Sequence, residues 1–256
     1  MSDFLRFCIW GDFMSVTETV LKYTTVCENT ENKISVIVVC GGNSRRMGGI
    51  DKMFAEVKGL PVCVRSIMKF QNLPEIDNIV VVTKNENILK MQQMCDKFNL
   101  FKVTDIVEGG NCRQHSVLNG FNRLCDETSI VLIHDGARPF TDAKCIKRVI
   151  DGVKQHSAVT CAVKVKDTVK EIDSENTVIS TPDRSKLVAV QTPQGFEYNL
   201  YKSAVEGNIS RLEDFTDDCS IVEASGYAVY TVDGDYKNIK ITTEEDLKIA
   251  EVFAED

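Results

Sequence analysis

Hydrophobic and polar positions along this chain alternate between two rhythms. Ile34–Cys40, ISVIVVC, is a short β-branched run with no polar alternation, as expected of a strand buried on both faces. It passes directly into Gly41–Gly49, GGNSRRMGG, a loop that no helix would favour. Leu60–Phe70 then carries Pro61 in its first turn and apolar residues at helical spacing, which predicts an amphipathic helix. The alternation continues with a strand at Ile79–Thr83, a helix at Glu86–Phe98, a strand at Phe101–Val107 and a helix at Cys112–Leu124. A strand at Ile130–His134, a helix at Asp142–Gln155 and a strand at Ala158–Val165 follow. Strands separated by helices of about 10–15 residues predict an α/β fold, a Rossmann-like, mostly parallel sheet covered by helices on both faces.

From Lys166 to Val190 the rhythm breaks. The segment has short β-like pieces, many charges and no helical pattern. It reads as a solvated hairpin insertion or as a protruding β-arm for subunit contact. The tail returns to a helix at Glu197–Glu206, an acidic stretch at Asp214–Ala224, a strand at Ala228–Val232 and a helix at Thr243–Phe253. No internal repeat or low-complexity linker divides the chain, so residues 34–256 read as one domain behind an N-terminal extension, 1–33. That extension lacks the basic start and continuous apolar core of a signal peptide, and Met14 offers an alternative start.

Composition narrows the partners. Across 256 residues, 30 Lys and Arg face 38 Asp and Glu for a formal charge of -8, and mean hydropathy is -0.13. This argues against a nucleic-acid coat or a basic membrane-surface module but permits a local cationic patch for a small anion. No apolar stretch is long enough to span a membrane. Ten cysteines are present, the nearest two 13 residues apart. That spacing disfavours thiolate zinc, iron–sulfur and CxxC redox chemistry. Several lie in apolar runs such as VIVVC and AVTCAV, where a free thiol packs as a small hydrophobe, so the chain reads as a cytoplasmic protein with reduced cysteines.

Two loops at predicted strand ends, where open parallel sheets bind ligands, carry the candidate chemistry. In GGNSRRMGGIDK, glycine backbone at Gly41 and Gly42 lies beside Arg45, Arg46 and Lys52, a plausible polyphosphate cradle. The loop matches neither GxxxxGK[ST] nor GxGxxG. The second loop is His134–Pro139, HDGARP. Asp135 is a reasonable magnesium ligand beside phosphates, although Arg138 could simply neutralise it. His134 reads more readily as a structural histidine, and His115 and His156 show no metal-ligand spacing.

The ordered set GGNSRRMG…DK, VEGGNCRQHSV, HDGARPF, VKDTVK, DRSKLVAVQTPQGF, TDDCS and NIKITTEEDL resembles the 2-C-methyl-D-erythritol 4-phosphate cytidylyltransferase family, of the nucleotide-diphospho-sugar transferase fold type. The resemblance spans residues 34 to about 252. It implies condensation of CTP with methylerythritol 4-phosphate, releasing pyrophosphate, in non-mevalonate isoprenoid synthesis, with magnesium as cofactor and a homodimer as the assembly. It further implies catalytic roles for Arg46, Lys52 and Lys240, and magnesium on Asp135. Base recognition falls to Cys40, Gly41, Gly42, Gly110, Asn111 and Ser116. The acceptor meets Arg138, Thr192 and Thr216, with Thr168 and Arg184 reaching over from a neighbouring subunit's arm at about 166–190.

The chain departs from the family pattern in four places. Asn111 replaces an aspartate, Asp218 a glutamate, Cys40 an alanine, and Lys237 an acidic residue before the Asn of NIK. The last change bears most on the acceptor. Ribitol 5-phosphate cytidylyltransferase shares the glycine loop, the TPQ segment and the NIKIT segment and is the nearest alternative. A catalytically silent nucleotide-binding protein is the alternative from another class.

Overall fold

The computed structural model describes residues 32–41 and 52–255. Eleven strands appear among them: β1 (Lys33–Val39), β2 (Glu56–Val57), β3 (Leu60–Pro61), β4 (Asn78–Thr83), β5 (Val103–Glu108), β6 (Thr128–Asp135), β7 (Ala158–Lys164), β8 (Glu171–Ile172), β9 (Val178–Ser180), β10 (Val188–Glu197) and β11 (Tyr230–Asp233). The α-helices are α1 (Val62–Gln71), α2 (Ile88–Lys97), α3 (Arg113–Phe121), α4 (Ala143–His156), α5 (Tyr198–Gly207), α6 (Asp218–Ala224) and α7 (Glu244–Phe253). Seven strands form one sheet in the order β11-β7-β10-β6-β1-β4-β5. All run parallel except β10, which is antiparallel to both β6 and β7.

The uninterrupted apolar runs are explained by layers on both faces of the sheet. Successive side chains point to opposite sides. Val36, Val38 and Cys40 enter a layer with Ile79, Val81 and Leu132, under α1, α2 and α4. Ile37 and Val39 enter the other with Val82, Val131 and Ile133, under α3, α5 and α6. Each fully buried Val, Ile or Leu stabilises the fold by about 1.5–3 kcal/mol, so a one-residue register slip costs little here in polarity but much in packing. A smaller cluster of Val57, Val62, Ile241 and Ala250 seats α7 against the β2–β3 ribbon.

Helix starts follow local chemistry. The Asp142 carboxylate accepts from the Cys145 N–H at 2.6 Å, and Glu197 caps α5 through the Asn199 and Leu200 amides. Asp217 and Thr243 form capping boxes at α6 and α7. Pro61 stands at the N-cap of α1 rather than inside its first turn. The eight described cysteines are thiols, and five of them lie in the layer under α1, α2 and α4.

The sequence expectation needs correction at one strand. The residue pattern predicts no strand at QTPQGF and places 188–190 in the arm, yet Val188–Glu197 is a central strand. Pro193 and Gly195 disguise it. The proline sits where the β10–β7 register shifts between Val190 and Gln194, a bulge that needs no N–H from it. At Gly195 a Cβ would stand 2.7 Å from Val149 Cγ1 and 2.8 Å from Val153 Cγ2, so the glycine lets α4 lie directly on the strand. The arm itself is a two-stranded β8–β9 ribbon followed by a 3-10 turn at Arg184–Lys186. Lys33, placed with the extension, opens β1.

Candidate active site

The carboxyl ends of β1, β4 and β6 converge, and Asp135 is the last residue of β6. Its backbone N–H donates to Thr192 Oγ1 at 3.0 Å, and that oxygen lies 3.0 Å from His134 Nδ1. A hydroxyl that accepts from an amide has its own proton left to give, so Thr192 donates to Nδ1. His134 Nε2 then donates to the Arg138 carbonyl at 3.1 Å. Burial pushes the His134 imidazole down to about 4, in keeping with the neutral ring this network requires. His134 is thus a structural brace, as its sequence context suggested.

Three cations surround the Asp135 carboxylate. Lys240 Nζ lies 2.8 Å from Oδ2, Arg113 Nε 3.3 Å from Oδ1, and Arg138 Nε 3.7 Å from Oδ2. Burial alone would raise the carboxyl's pKa, but the charges of Arg113, Lys240 and Arg138 outweigh it and hold the group well below the usual carboxylate range. The segment carrying Lys240 is stitched in place by backbone. Ile241 N–H donates to the Ala137 carbonyl at 2.9 Å, Arg138 Nη1 to the Asn238 carbonyl at 2.8 Å, and Asn238 Nδ2 to the Thr192 carbonyl at 2.9 Å. Lys52 Nζ donates to the Ile241 carbonyl at 3.2 Å, which brings it to the same corner. Cations therefore outnumber carboxylates around this corner, despite the acidic composition.

Beside it lies a cleft of about 510 Å³ whose walls include Gly41, Thr83, Glu108, Gly110, Asn111 and Ser116, and which reaches Arg113. Gly110 N–H donates to Ser116 Oγ at 3.0 Å, and that hydroxyl donates to the Cys112 carbonyl at 2.9 Å. A Cβ on Gly110 would stand 2.5 Å from His115 Cβ, so the turn into α3 admits only glycine without moving that helix. The Cys40 N–H is taken by the Val82 carbonyl at 2.7 Å. The sheet uses that hydrogen, so the part in base recognition that the resemblance implies for Cys40 does not rest on its N–H.

The expected residues thus divide. Lys52, Asp135, Arg138, Thr192 and Lys240 come together, and Gly41, Gly110, Asn111 and Ser116 line the adjoining cleft. Thr168 and Arg184 sit exposed on the arm, where an Arg184 guanidinium N–H donates to the Lys166 carbonyl, and Thr216 is exposed next to the Asp217 cap. Gly42, Arg45 and Arg46 lie outside the described residues. Sequence reasoning missed Arg113 and Asp218, although both stand in quoted motifs. Arg113 Nη1 lies 2.6 Å from Asp218 Oδ2. The available signal was a lone arginine directly after the glycine turn that opens a helix.

Known proteins give the same picture. The family model for 2-C-methyl-D-erythritol 4-phosphate cytidylyltransferase matches residues 34–256. The enzyme of that name from Clostridium beijerinckii is 42% identical over 225 residues, covering 87% of this chain and 99% of its own. That of Clostridium novyi is 44% identical over 231 residues, covering 88% and 98%. Among solved structures, the 4-diphosphocytidyl-2C-methyl-D-erythritol synthase of Anaerococcus prevotii superposes with a TM-score of 0.78 at 31% identity, covering 88% of this chain and 97% of that one. With the fold, the cationic corner and the cleft accounted for, the chain belongs to the 2-C-methyl-D-erythritol 4-phosphate cytidylyltransferase family.

Proposed function

We propose that this chain transfers a cytidylyl group from CTP to 2-C-methyl-D-erythritol 4-phosphate, giving 4-diphosphocytidyl-2-C-methyl-D-erythritol and pyrophosphate for isoprenoid synthesis. The observation that carries the reading is the cluster of Lys240, Arg113 and Arg138 on one strand-end carboxylate, beside a polar cleft of nucleotide size. An ionised phosphate monoester is already a nucleophile, so an acceptor oxygen can attack the α-phosphorus in line and expel pyrophosphate without a protein nucleophile. The protein's share is positioning and charge stabilisation. Lys52 and Lys240, with Arg46 of the glycine loop, neutralise charge developing on the triphosphate. Gly41, Gly42, Gly110, Asn111 and Ser116 hold the base and ribose, and Arg138, Thr192 and Thr216 the acceptor.

Magnesium fits the donors present. Asp135 is held ionised, and among the described residues no group of three or more His, Cys, Asp or Glu forms a cage. A single carboxylate suits an ion that draws the rest of its shell from phosphates and water. Bound there, it would withdraw charge from the triphosphate. The arm supports a homodimer in which Thr168 and Arg184 complete the partner's site, since Ile172, Val178 and Ile179 are 52%, 53% and 60% exposed on its ribbon. No helix among the described residues is long and apolar enough to cross a membrane, and buried free thiols suit the cytoplasm. The test is CTP-dependent pyrophosphate release with methylerythritol 4-phosphate and ribitol 5-phosphate side by side. Preference for the first is expected. Preference for ribitol 5-phosphate, or CTP binding without release, overturns the reading.

A further inference from the structure

Arg113 is pulled in two directions. Its Nη1 sits 2.6 Å from Asp218 Oδ2, while its Nε is 3.3 Å from Asp135 Oδ1. The guanidinium therefore leans towards the more deeply buried of the two carboxylates. Asp218 is fully buried and cannot swing away. Tyr201 OH donates to its Oδ1 at 2.8 Å, and its backbone N–H donates to Gln194 Oε1 at 3.1 Å. Gln194 in turn donates through Nε2 to Asp217 Oδ2 at 2.7 Å, the cap of the helix that Asp218 begins. Tyr201 is itself locked, stacked on Phe196 with ring centroids 4.9 Å apart.

An arginine next to a lone carboxylate closes on it in a two-pronged pair and occupies both oxygens. Here that pairing would remove the oxygens that a divalent cation needs. We propose that Asp218 is a positioning residue that holds Arg113 partly off Asp135, so that the Asp135 carboxylate opens to a magnesium–nucleotide complex once Lys240 leaves Oδ2 for a phosphate. This rests on the cytidylyltransferase reading above and adds to it a competition between an arginine and a metal for one carboxylate. Tyr201 and Gln194 act through Asp218 by fixing its direction.

The experiment measures CTP binding by calorimetry, and turnover, across a magnesium titration. In Asp218→Asn the counter-charge is gone and Arg113 closes on Asp135. The magnesium needed for half-maximal CTP binding rises about tenfold, the lower end of what one neighbouring charge does to a carboxylate. Excess magnesium restores binding and kcat. A purely structural role predicts an unchanged magnesium midpoint, or a loss that magnesium does not restore, and either result overturns the proposal. The double variant R113Q/D218N leaves no unpaired charge and removes the competitor, so its midpoint falls at or below that of the wild type. If Asp218→Asn does not fold, the double variant decides, and a raised midpoint there refutes the competition. Wild-type protein that binds CTP and releases pyrophosphate while Asp218→Asn titrates like it sinks this inference alone. Wild-type protein that binds no CTP sinks both.

Discussion

Acidification weakens this fold through His134 before its carboxylates titrate. A free imidazole has a pKa of about 6.5, whereas burial, only partly offset by the Arg138 carbonyl and the Asp135 charge, brings His134 down to about 4. Between those values the unfolded chain binds a proton that the folded protein refuses. Stability is therefore fully present above pH about 6.5 and is lost as pH falls through that value towards 4. At about 1.4 kcal/mol per pH unit, the gap is worth about 3 kcal/mol, of which about 2 kcal/mol is gone by pH about 5. Asp135, also depressed, works in the same sense but only below its unfolded value of about 3.9, so the interval from about 5 to 6.5 isolates the histidine. Urea unfolding at steps across pH about 5 to 8 reads this directly, with His134→Gln as the non-titrating comparison. The variant starts lower, having lost the bonds to Thr192 and Arg138. Its stability then changes less with pH, by about 2 kcal/mol across the interval. Equal slopes for the two proteins would refute both the neutral ring and the hydrogen-bond directions assigned to it.

Three substitutions test other parts of the structure. Asp135→Asn keeps the shape at the strand end but removes the charge that gathers Lys240, Arg113 and Arg138; pyrophosphate release should slow by about 2–4 kcal/mol of transition-state stabilisation, and a near-wild-type rate would remove Asp135 from the mechanism. Lys52→Ala should slow the same assay by a similar amount, with thermal stability little changed because its bond to the Ile241 carbonyl is only partly buried. Gly195→Ala drives a methyl against Val149, Val153 and Leu132 and should cost about 1–3 kcal/mol, read as a lower unfolding midpoint; an unchanged midpoint would show that α4 can lift off β10.

The sheet was legible from residue types because a strand covered on both faces has to be apolar throughout, and ISVIVVC, IVVVT and IVLIH are little else. Helix limits were legible to within a turn where Asp142 and Thr243 cap in the ordinary way, whereas α6 behind the Asp217 cap shows in the sequence only as an acidic stretch. Strand β10 was not legible, since its pattern is broken by the Gln191, Thr192 and Gln194 side chains that serve the site rather than the core. Gln191 holds Asp235 and Asn238, Thr192 holds His134, and Gln194 holds Asp218. The same cause hid Arg113 and Asp218. They are 105 positions apart in sequence and meet only because α3 and α6 cover one face of the sheet. A pair of that kind leaves no spacing signature, whereas the glycine loop and HDGARP each announce themselves locally.

Asp135 has a task even before substrate arrives. Two like charges about 4 Å apart repel by about 4 kcal/mol at the effective dielectric of a partly buried site, and Lys240, Arg113 and Arg138 all approach the same carboxylate within 3.7 Å. Without that carboxylate the three would repel one another and Lys240, the most exposed of them, would swing into solvent, from which substrate would have to collect it again at an entropic cost. With the carboxylate in place they stay assembled, the kind of preorganised charge that needs little rearrangement when negative charge develops beside it. A second requirement follows. A carboxylate that gathers cations must also release some of them to phosphate, or the site remains neutralised and closed. Lys240, whose side chain is 41% exposed, can move to a phosphate oxygen, whereas Arg113 is tied to fully buried Asp218 and cannot travel far. Of the two, Lys240 is thus the cation placed to change partners, and Arg113 the one whose position is fixed.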